Sequence, residues 1–177
     1  MNMSKKWLWA GILVLGATVI LGQNLSWLTG TMDEKFDTLA NIQPGLGTVM
    51  IEYSNRIGNV YYAAQVANWG MAAYQLNEMV EIQEVAETTR PARKEALQGF
   101  EQAALAPLAN DIVNQDLDAF NRDFAITVAY CNGCHVANGF GYIVYKLPAQ
   151  AAAPTNMEVG LKFSSGQLKA ILSGLLP

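Results

Sequence analysis

The chain has few of the residues that build metal centres and disulfide frameworks: two cysteines and one histidine in 177 residues. Three such residues are too few for a structural zinc site, which takes four ligands from Cys and His. Charged residues make up 15% of the chain and hydrophobic residues 51%, which excludes broad disorder. The net charge is −4, and no basic cluster is long enough to follow a phosphate backbone, so nucleic-acid binding is not expected.

Strand-like alternation of polar and apolar residues is missing from residues 45–139, where apolar residues recur at three- and four-residue spacing. This spacing predicts helices. We predict them over 45–66, 68–88, 91–113 and 116–139, with Pro107 kinking or splitting the third. The links between them are only a few residues long, which forces neighbours to be antiparallel. The sequence therefore predicts an all-α, up-down-up-down four-helix bundle.

The N-terminus has the pattern of an export signal: Lys5 and Lys6 precede an apolar run over 7–22. That run is about 16 residues long, whereas spanning a bilayer takes about 20. The segment lacks both an A-x-A cleavage site and a lipobox cysteine, so a cleaved signal peptide and a retained, tilted membrane anchor both stay open. Residues 23–43 are predicted to be a spacer. In either case the remainder is expected outside the cytoplasmic membrane, in the periplasm of a bacterium.

The chain after the predicted bundle divides into a linker and a tail. We place the bundle domain at 44–146 and the linker and tail at 147–177. The end of the tail predicts a short helix with an apolar face, formed by Leu168, Ile171, Leu172 and Leu175. We expect this face to dock on the bundle, and a partner-binding role is the alternative.

Residues 129–140, AYCNGCHVANGF, contain both cysteines and the single histidine. Cys-x-x-Cys-His is the motif of covalent c-type haem attachment. Cys131 and Cys134 lie three residues apart, on one side of a helix, where their thiols can add to the two vinyl groups of a haem. His135 is then placed under the iron as the proximal ligand. The motif predicts one covalently bound haem c.

Other uses of this motif fit less well. A thioredoxin-like dithiol normally lies at a helix start in a βαβ setting, whereas this one lies at a helix end. A disulfide that closes so short a loop would stabilise the fold little. A haem-free structural or interaction module would require the motif to be accidental.

The sixth iron ligand cannot be a second histidine, because the chain has none. It is a methionine, a rarer ligand such as lysine, or absent. The bundle topology places Met50 at the haem end, and core packing is the alternative role for this side chain. Methionine ligation would raise the reduction potential and close the site, whereas five-coordinate iron would be open to small gases.

Further residues are expected at the haem end. Basic side chains there could pair with haem propionates or remain solvated, and they are Arg56, Arg90, Arg93 and Lys94. Tyr53 could pack near the haem or belong to the plain core, and Phe140 and Tyr142 should cover a haem edge.

CNGCH near the end of the last helix of such a bundle resembles the class II c-type cytochromes, which comprise the cytochromes c′ and their low-spin relatives. The resemblance covers about residues 44–146. More loosely, stretches such as QPGLGTVM, TRPA and FEQA are similar to small exported monohaem cytochromes found beside bacterial respiratory and oxidative systems. The resemblance implies methionine ligation from the first helix, where Met50 matches, and a homodimer by analogy. VANGF after His135 departs from the continuation typical of cytochromes c′.

Together these features predict an electron carrier and no enzyme. The expected partners are redox proteins with basic docking patches, or a membrane respiratory or oxidative complex. The alternative is a five-coordinate haem protein that binds or senses gases such as NO or CO.

Overall fold

The computed structural model describes residues 28–152 and 161–176. The predicted signal or anchor over 1–22 lies outside the described residues. Contacts divide the chain into a unit over 1–43 and a unit over 44–177. The first unit contains α1 (Met32–Asn41), which begins with a capping box between Thr31 and Glu34. Within the described part of the chain, no helix is long and apolar enough to cross a membrane.

The second unit packs six helices together, and the described residues form no strand. The all-α prediction is therefore confirmed. The helices are α2 (Leu46–Gln65), α3 (Trp69–Thr89), α4 (Lys94–Phe100), α5 (Ala106–Asn114), α6 (Leu117–Ala137) and α7 (Ser165–Ile171). A 3₁₀ turn over Pro91–Arg93 precedes α4, and a π turn over Glu101–Leu105 joins α4 to α5.

The links between the long helices are short and specific. Asn68 caps α3 by accepting from the Met71 N–H, and Asp116 caps α6 by accepting from the Ala119 N–H. Next to each cap lies a residue in the left-handed region that lets the chain reverse: Ala67 with φ 57° and Gln115 with φ 56°.

Side-chain contacts show how the long helices pair. The contacts join α2 to α3 and α2 to α6: Tyr53 to Gln83, Arg56 to Gln75, Gln65 to Asn121 and Tyr61 to Phe124. In both pairs the residue number rises on one helix as it falls on the other. Each pair therefore runs antiparallel.

The third predicted helix is interrupted just before Pro107. Here the chain makes a π turn, and the Ala106 N–H donates to the carbonyl of Glu101, five residues earlier. Proline has no N–H, and its ring collides with the carbonyl four residues before it in a regular helix. The wider π turn relieves this conflict, so the segment continues as α5.

The tail helix α7 docks on α3 and α5, as predicted, and buries Leu168 and Leu172 completely. The chain before it lies against Gly70, where a Cβ atom would come within 2.2 Å of the Phe163 ring. A glycine is therefore required at this helix position for the tail to approach. Gln115 adds a hydrogen bond to the Phe163 carbonyl at 2.9 Å.

Asp111 is a buried acid that should destabilise the native state at neutral pH. It is 9% exposed, and its Oδ2 has no hydrogen-bond partner among the described residues. Burial, reinforced by Asp123, raises its pKa to about 6 from an ordinary 3.8. A raised carboxyl pKa means that the charged form is disfavoured in the folded state, so stability falls as the pH rises from about 4 to above 6.

Asp111→Asn is expected to raise the free energy of unfolding at pH 7.5 by about 1 to 2 kcal/mol, with much less change at pH 4.5. Thermal unfolding at both pH values measures this. Asp118→Asn, an exposed acid in the first turn of α6, is the matched control. A less stable Asp111→Asn protein at pH 7.5 would contradict the prediction.

Candidate functional site

One cleft brings together most of the residues that the sequence singles out. It has a volume of about 870 Å³ and lies among α2, α4, the end of α6 and the segment after α6. This size is within the range of small-molecule and cofactor sites. The predicted residues that line it are Met50, Tyr53, Arg90, Arg93, Cys131, Cys134, His135 and Phe140.

The two cysteines occupy the last turns of α6, with both thiols free and half-buried. Because they are three residues apart, they share a helix face. Burial raises the pKa of Cys131 to about 12, and Cys134 beside it adds to the effect. Reactive redox dithiols instead have lowered pKa values. The environment of Cys131 thus argues against a thioredoxin-like role.

The His135 ring is held by the segment that follows α6. Its Nδ1 lies 2.8 Å from the carbonyl oxygen of Ile143. A carbonyl oxygen can only accept, so Nδ1 carries the hydrogen, and the lone pair of the neutral ring is on Nε2. Histidines that ligate metals are commonly oriented by this kind of bond from their other nitrogen.

Met50 lies on the wall of the cleft that α2 contributes, whereas His135 lies on the wall that α6 contributes. Met50 is half-buried and packs against both apolar clusters of the second unit. Met79 on α3 is completely buried in the core and does not line the cleft. Among the described methionines, Met50 is the one that reaches the site.

The cleft is cationic although the chain is acidic. Arg90, Arg93 and Lys146 line it, and none of the described lining residues is Asp or Glu. Arg93 donates to the Oδ1 of Asn138, and Arg90 donates to the Pro44 carbonyl at 2.8 Å. An apolar cleft with basic side chains suits a ligand that combines an apolar body with anionic groups.

Three of the residues expected at the haem end do not line the cleft: Arg56, Lys94 and Tyr142. The Arg56 guanidinium instead pairs with Glu52 at 2.8 Å and Glu78 at 3.4 Å. Tyr142 is 80% exposed, and its ring centroid lies 6.2 Å from that of Phe140. The structure therefore assigns Arg56 to the contact between α2 and α3, and leaves Tyr142 outside the cleft.

Sequence reasoning did not find Lys146, because nothing in YIVYKLP distinguishes a cleft lysine from a solvated one. It also missed the polar network behind Tyr53. The Tyr53 hydroxyl donates to the Oε1 of Gln83 at 2.8 Å, and the Nε2 of Gln83 donates to Glu101 at 2.8 Å and Glu87 at 3.0 Å. Burial raises the pKa of Tyr53 well above its usual value, and Cys131 and Glu101 contribute.

Glu101 belongs to the same network and sits in the π turn. Burial raises its pKa, and the nearby Glu87 and Glu84 raise it further. Gln83 therefore joins a tyrosine of the cleft wall to the buried Glu87 and the half-buried Glu101. The signal for this in the sequence is a glutamine within an apolar helical stripe, which does not identify its partners.

No group of three or more His, Cys, Asp or Glu residues within 28–152 and 161–176 is arranged to hold a metal ion. Comparison of the chain with family models, with curated proteins and with solved structures finds no significant match. The resemblance to class II c-type cytochromes therefore rests on the residues themselves.

Proposed function

We propose that the chain is an exported monohaem c-type cytochrome that carries single electrons between redox partners. The observation that carries this proposal is the convergence of Cys131, Cys134, His135 and Met50 on one cleft with a basic lining. Two thiols are the groups that covalent attachment of a haem requires, and an imidazole nitrogen and a thioether are groups that can bind its iron.

We also propose that the second unit is an up-down-up-down four-helix bundle, in which α4 and α5 together count as the third helix. The antiparallel pairs of α2 with α3 and of α2 with α6 support it. So does the hydrogen bond from the Thr127 hydroxyl to the Ala104 carbonyl at 3.2 Å, which ties α6 to the π turn. In this bundle the start of the first helix and the end of the last lie at the same end.

Each residue of the cleft has a role in this proposal. Cys131 and Cys134 would hold the haem through thioether bonds, with His135 as proximal ligand and Met50 as distal ligand. Arg90, Arg93 and Lys146 would pair with the two haem carboxylates. The sequence predicted this role for Arg90 and Arg93, and also for Arg56 and Lys94, which do not line the cleft. When bound, the haem supplies one-electron Fe(III)/Fe(II) chemistry.

The chain would tune that chemistry through ligation and burial. Met–His ligation raises the reduction potential and leaves no open coordination position. The apolar walls, with Leu46, Ile57 and Leu97 among them, would exclude water from the site. These contributions shift a potential and involve no substrate turnover, so an enzymatic activity is not proposed.

The cellular setting completes the proposal. The basic and apolar pattern over 1–22 supports export to the periplasm, with that segment either removed or kept as an anchor in the cytoplasmic membrane. The net charge of −4 favours docking to basic patches on redox proteins or on a membrane respiratory or oxidative complex. A homodimer is a further proposal that follows from the resemblance alone.

The alternative is a five-coordinate haem protein that binds or senses gases such as NO or CO. One observation favours it: Met50 packs against both apolar clusters, as a methionine with a purely structural role would. In that case Met50 would cover the iron without binding it.

The test of the proposed function is whether the exported chain carries covalent haem. The full chain is produced in a bacterial host that has a c-type haem attachment system, and the protein is denatured and extracted with acidic acetone. We expect one haem per chain to remain, as measured by the pyridine haemochrome spectrum. The control with Cys131→Ala and Cys134→Ala should retain none. An exported wild-type chain without haem would contradict the proposal.

A further inference from the structure

The segment after α6 returns along the last turns of that helix and is held by Asn132, a residue inside the CNGCH motif. The Oδ1 of Asn132 accepts from the Tyr145 N–H at 2.7 Å, and its Nδ2 donates to the Tyr145 carbonyl at 3.3 Å. One side chain thus binds both backbone groups of one residue. We call this pair of bonds the Asn132 clasp, and it fixes both the position and the direction of the segment.

The clasp and the contact between His135 and Ile143 depend on the same alignment of the segment along α6. Asn132 and His135 are three residues apart, so they share one face of α6. Their partners, Tyr145 and Ile143, are two residues apart on a stretch that forms no helix or turn, so a shift of this stretch along α6 would displace both contacts together. The register that seats Tyr145 on Asn132 is therefore the register that brings the Ile143 carbonyl to Nδ1.

Hydrogen bonds hold the backbone both before and after Ile143 along the chain. Before it, the Phe140 N–H donates to the His135 carbonyl at 2.7 Å, and the Ile143 N–H donates to the Phe140 carbonyl at 2.8 Å. After it, the first side-chain anchor of the segment is the clasp. The next anchor, from the Tyr62 hydroxyl to the Pro148 carbonyl at 2.6 Å, lies three residues farther on. Removing the clasp takes away the hydrogen bonds that fix the backbone just after Ile143, while the Tyr145 and Leu147 side chains still pack against the apolar core.

We propose that Asn132 is a positioning residue that acts through Ile143 to set the tautomer and electron density of the His135 ring. The clasp holds the Ile143 carbonyl against Nδ1, which keeps the hydrogen there and strengthens Nε2 as an electron donor. The consequence for a reduction potential rests on the proposed function, whereas the consequence for the tautomer does not. A motif position usually regarded as variable thus has an assigned role in this chain.

The single histidine makes the test direct. Labelling the full chain with ¹⁵N-histidine gives the two ring nitrogens of His135 alone, and their shifts report the tautomer ratio in the haem-free protein. We expect Asn132→Ala to raise the fraction of the Nε2–H tautomer about threefold or more, the change that losing one hydrogen bond allows. In the haem-loaded protein the same variant should raise the reduction potential, because a weaker donor stabilises Fe(III) less.

Asn121→Ala is the matched control, since Asn121 also lies on α6 and uses its side chain in a hydrogen bond, to Gln65 at 2.7 Å. It should leave both readouts unchanged. Asn132→Leu, which removes both bonds but keeps similar volume, replaces the alanine variant if that protein does not fold. A wild-type tautomer ratio in the folded Asn132 variant would overturn the inference, whatever its haem content. A shifted ratio in a chain that never takes up haem would support the inference while the proposed function fails.

Discussion

Met50→Leu is expected to convert the haem-loaded protein from a low-spin form that does not bind CO into a form that binds CO readily. Leucine fills about the same volume as methionine but has no thioether, so the core should remain packed at a cost under about 1.5 kcal/mol. The iron would lose its sixth ligand, and the reduction potential should fall by on the order of 0.1 V, since axial ligands set haem potentials over a wide range. Absorption spectra of both oxidation states, with and without CO, measure the change.

Met79→Leu is the matched control for this experiment. Met79 is completely buried in the core and does not line the cleft, so its replacement should leave the spectra and the CO response unchanged. A wild-type protein that is high-spin, binds CO and is unaffected by Met50→Leu would contradict methionine ligation. That result would favour the gas-binding alternative.

Gln83→Leu is expected to lower the free energy of unfolding by about 2 to 4 kcal/mol at pH 7. Gln83 is completely buried, and its side chain accepts from the Tyr53 hydroxyl and donates to Glu87 and Glu101. Leucine would leave the buried Tyr53 hydroxyl without its acceptor, and it would leave the buried Glu87 and the half-buried Glu101 without this donor. Urea unfolding followed by helical circular dichroism measures the loss.

The pH dependence of this loss is a sharper test than its size. Burial already raises the pKa of Glu101, and removing a donor to its charged form should raise that pKa further. The charged form is then the destabilising one, so the deficit of Gln83→Leu should be large above the Glu101 pKa and shrink as the pH falls through it. A deficit that is constant between pH 4.5 and 7.5 would contradict the assignment to unsatisfied carboxylates.

Gln98→Leu serves as the control for Gln83→Leu. Gln98 is exposed, and its side chain donates to the other oxygen of Glu87 at 3.0 Å. Water can replace this donor, so the expected cost is below about 1 kcal/mol. The contrast separates burial of the network from loss of a single bond.

Much of the fold could be predicted because its signals are local. The caps at Asn68 and Asp116, the apolar spacing and the apolar face of α7 each depend on residues within a few positions of one another. The interruption near Pro107 also follows from one residue, although its form as a π turn does not. A kink, a break and a π turn all accommodate the missing N–H, and the packing around the segment selects among them.

The candidate site could be predicted only in part. The spacing of Cys131, Cys134 and His135 predicts the centre of the site. The predicted antiparallel topology places Met50 near it, and Met50 does line the cleft. Arg56 shows the limit, because two acidic residues, one on α2 and one on α3, engage its guanidinium away from the cleft. Which of several basic residues reaches a site depends on helix rotation and on neighbours distant in sequence.

The sequence by itself thus determined the helical class, the ends of the long helices and the position of the CNGCH motif near the end of α6. Each of these features depends on residues that are neighbours along the chain. The tertiary structure alone decided that Lys146 lines the cleft, that Gln83 joins Tyr53 to Glu101, and that Asn132 holds the backbone beside His135. The physical reason is that hydrogen bonds of this kind depend on a register accurate to a fraction of an ångström. That register is set by packing between segments far apart in sequence, and no local pattern encodes it.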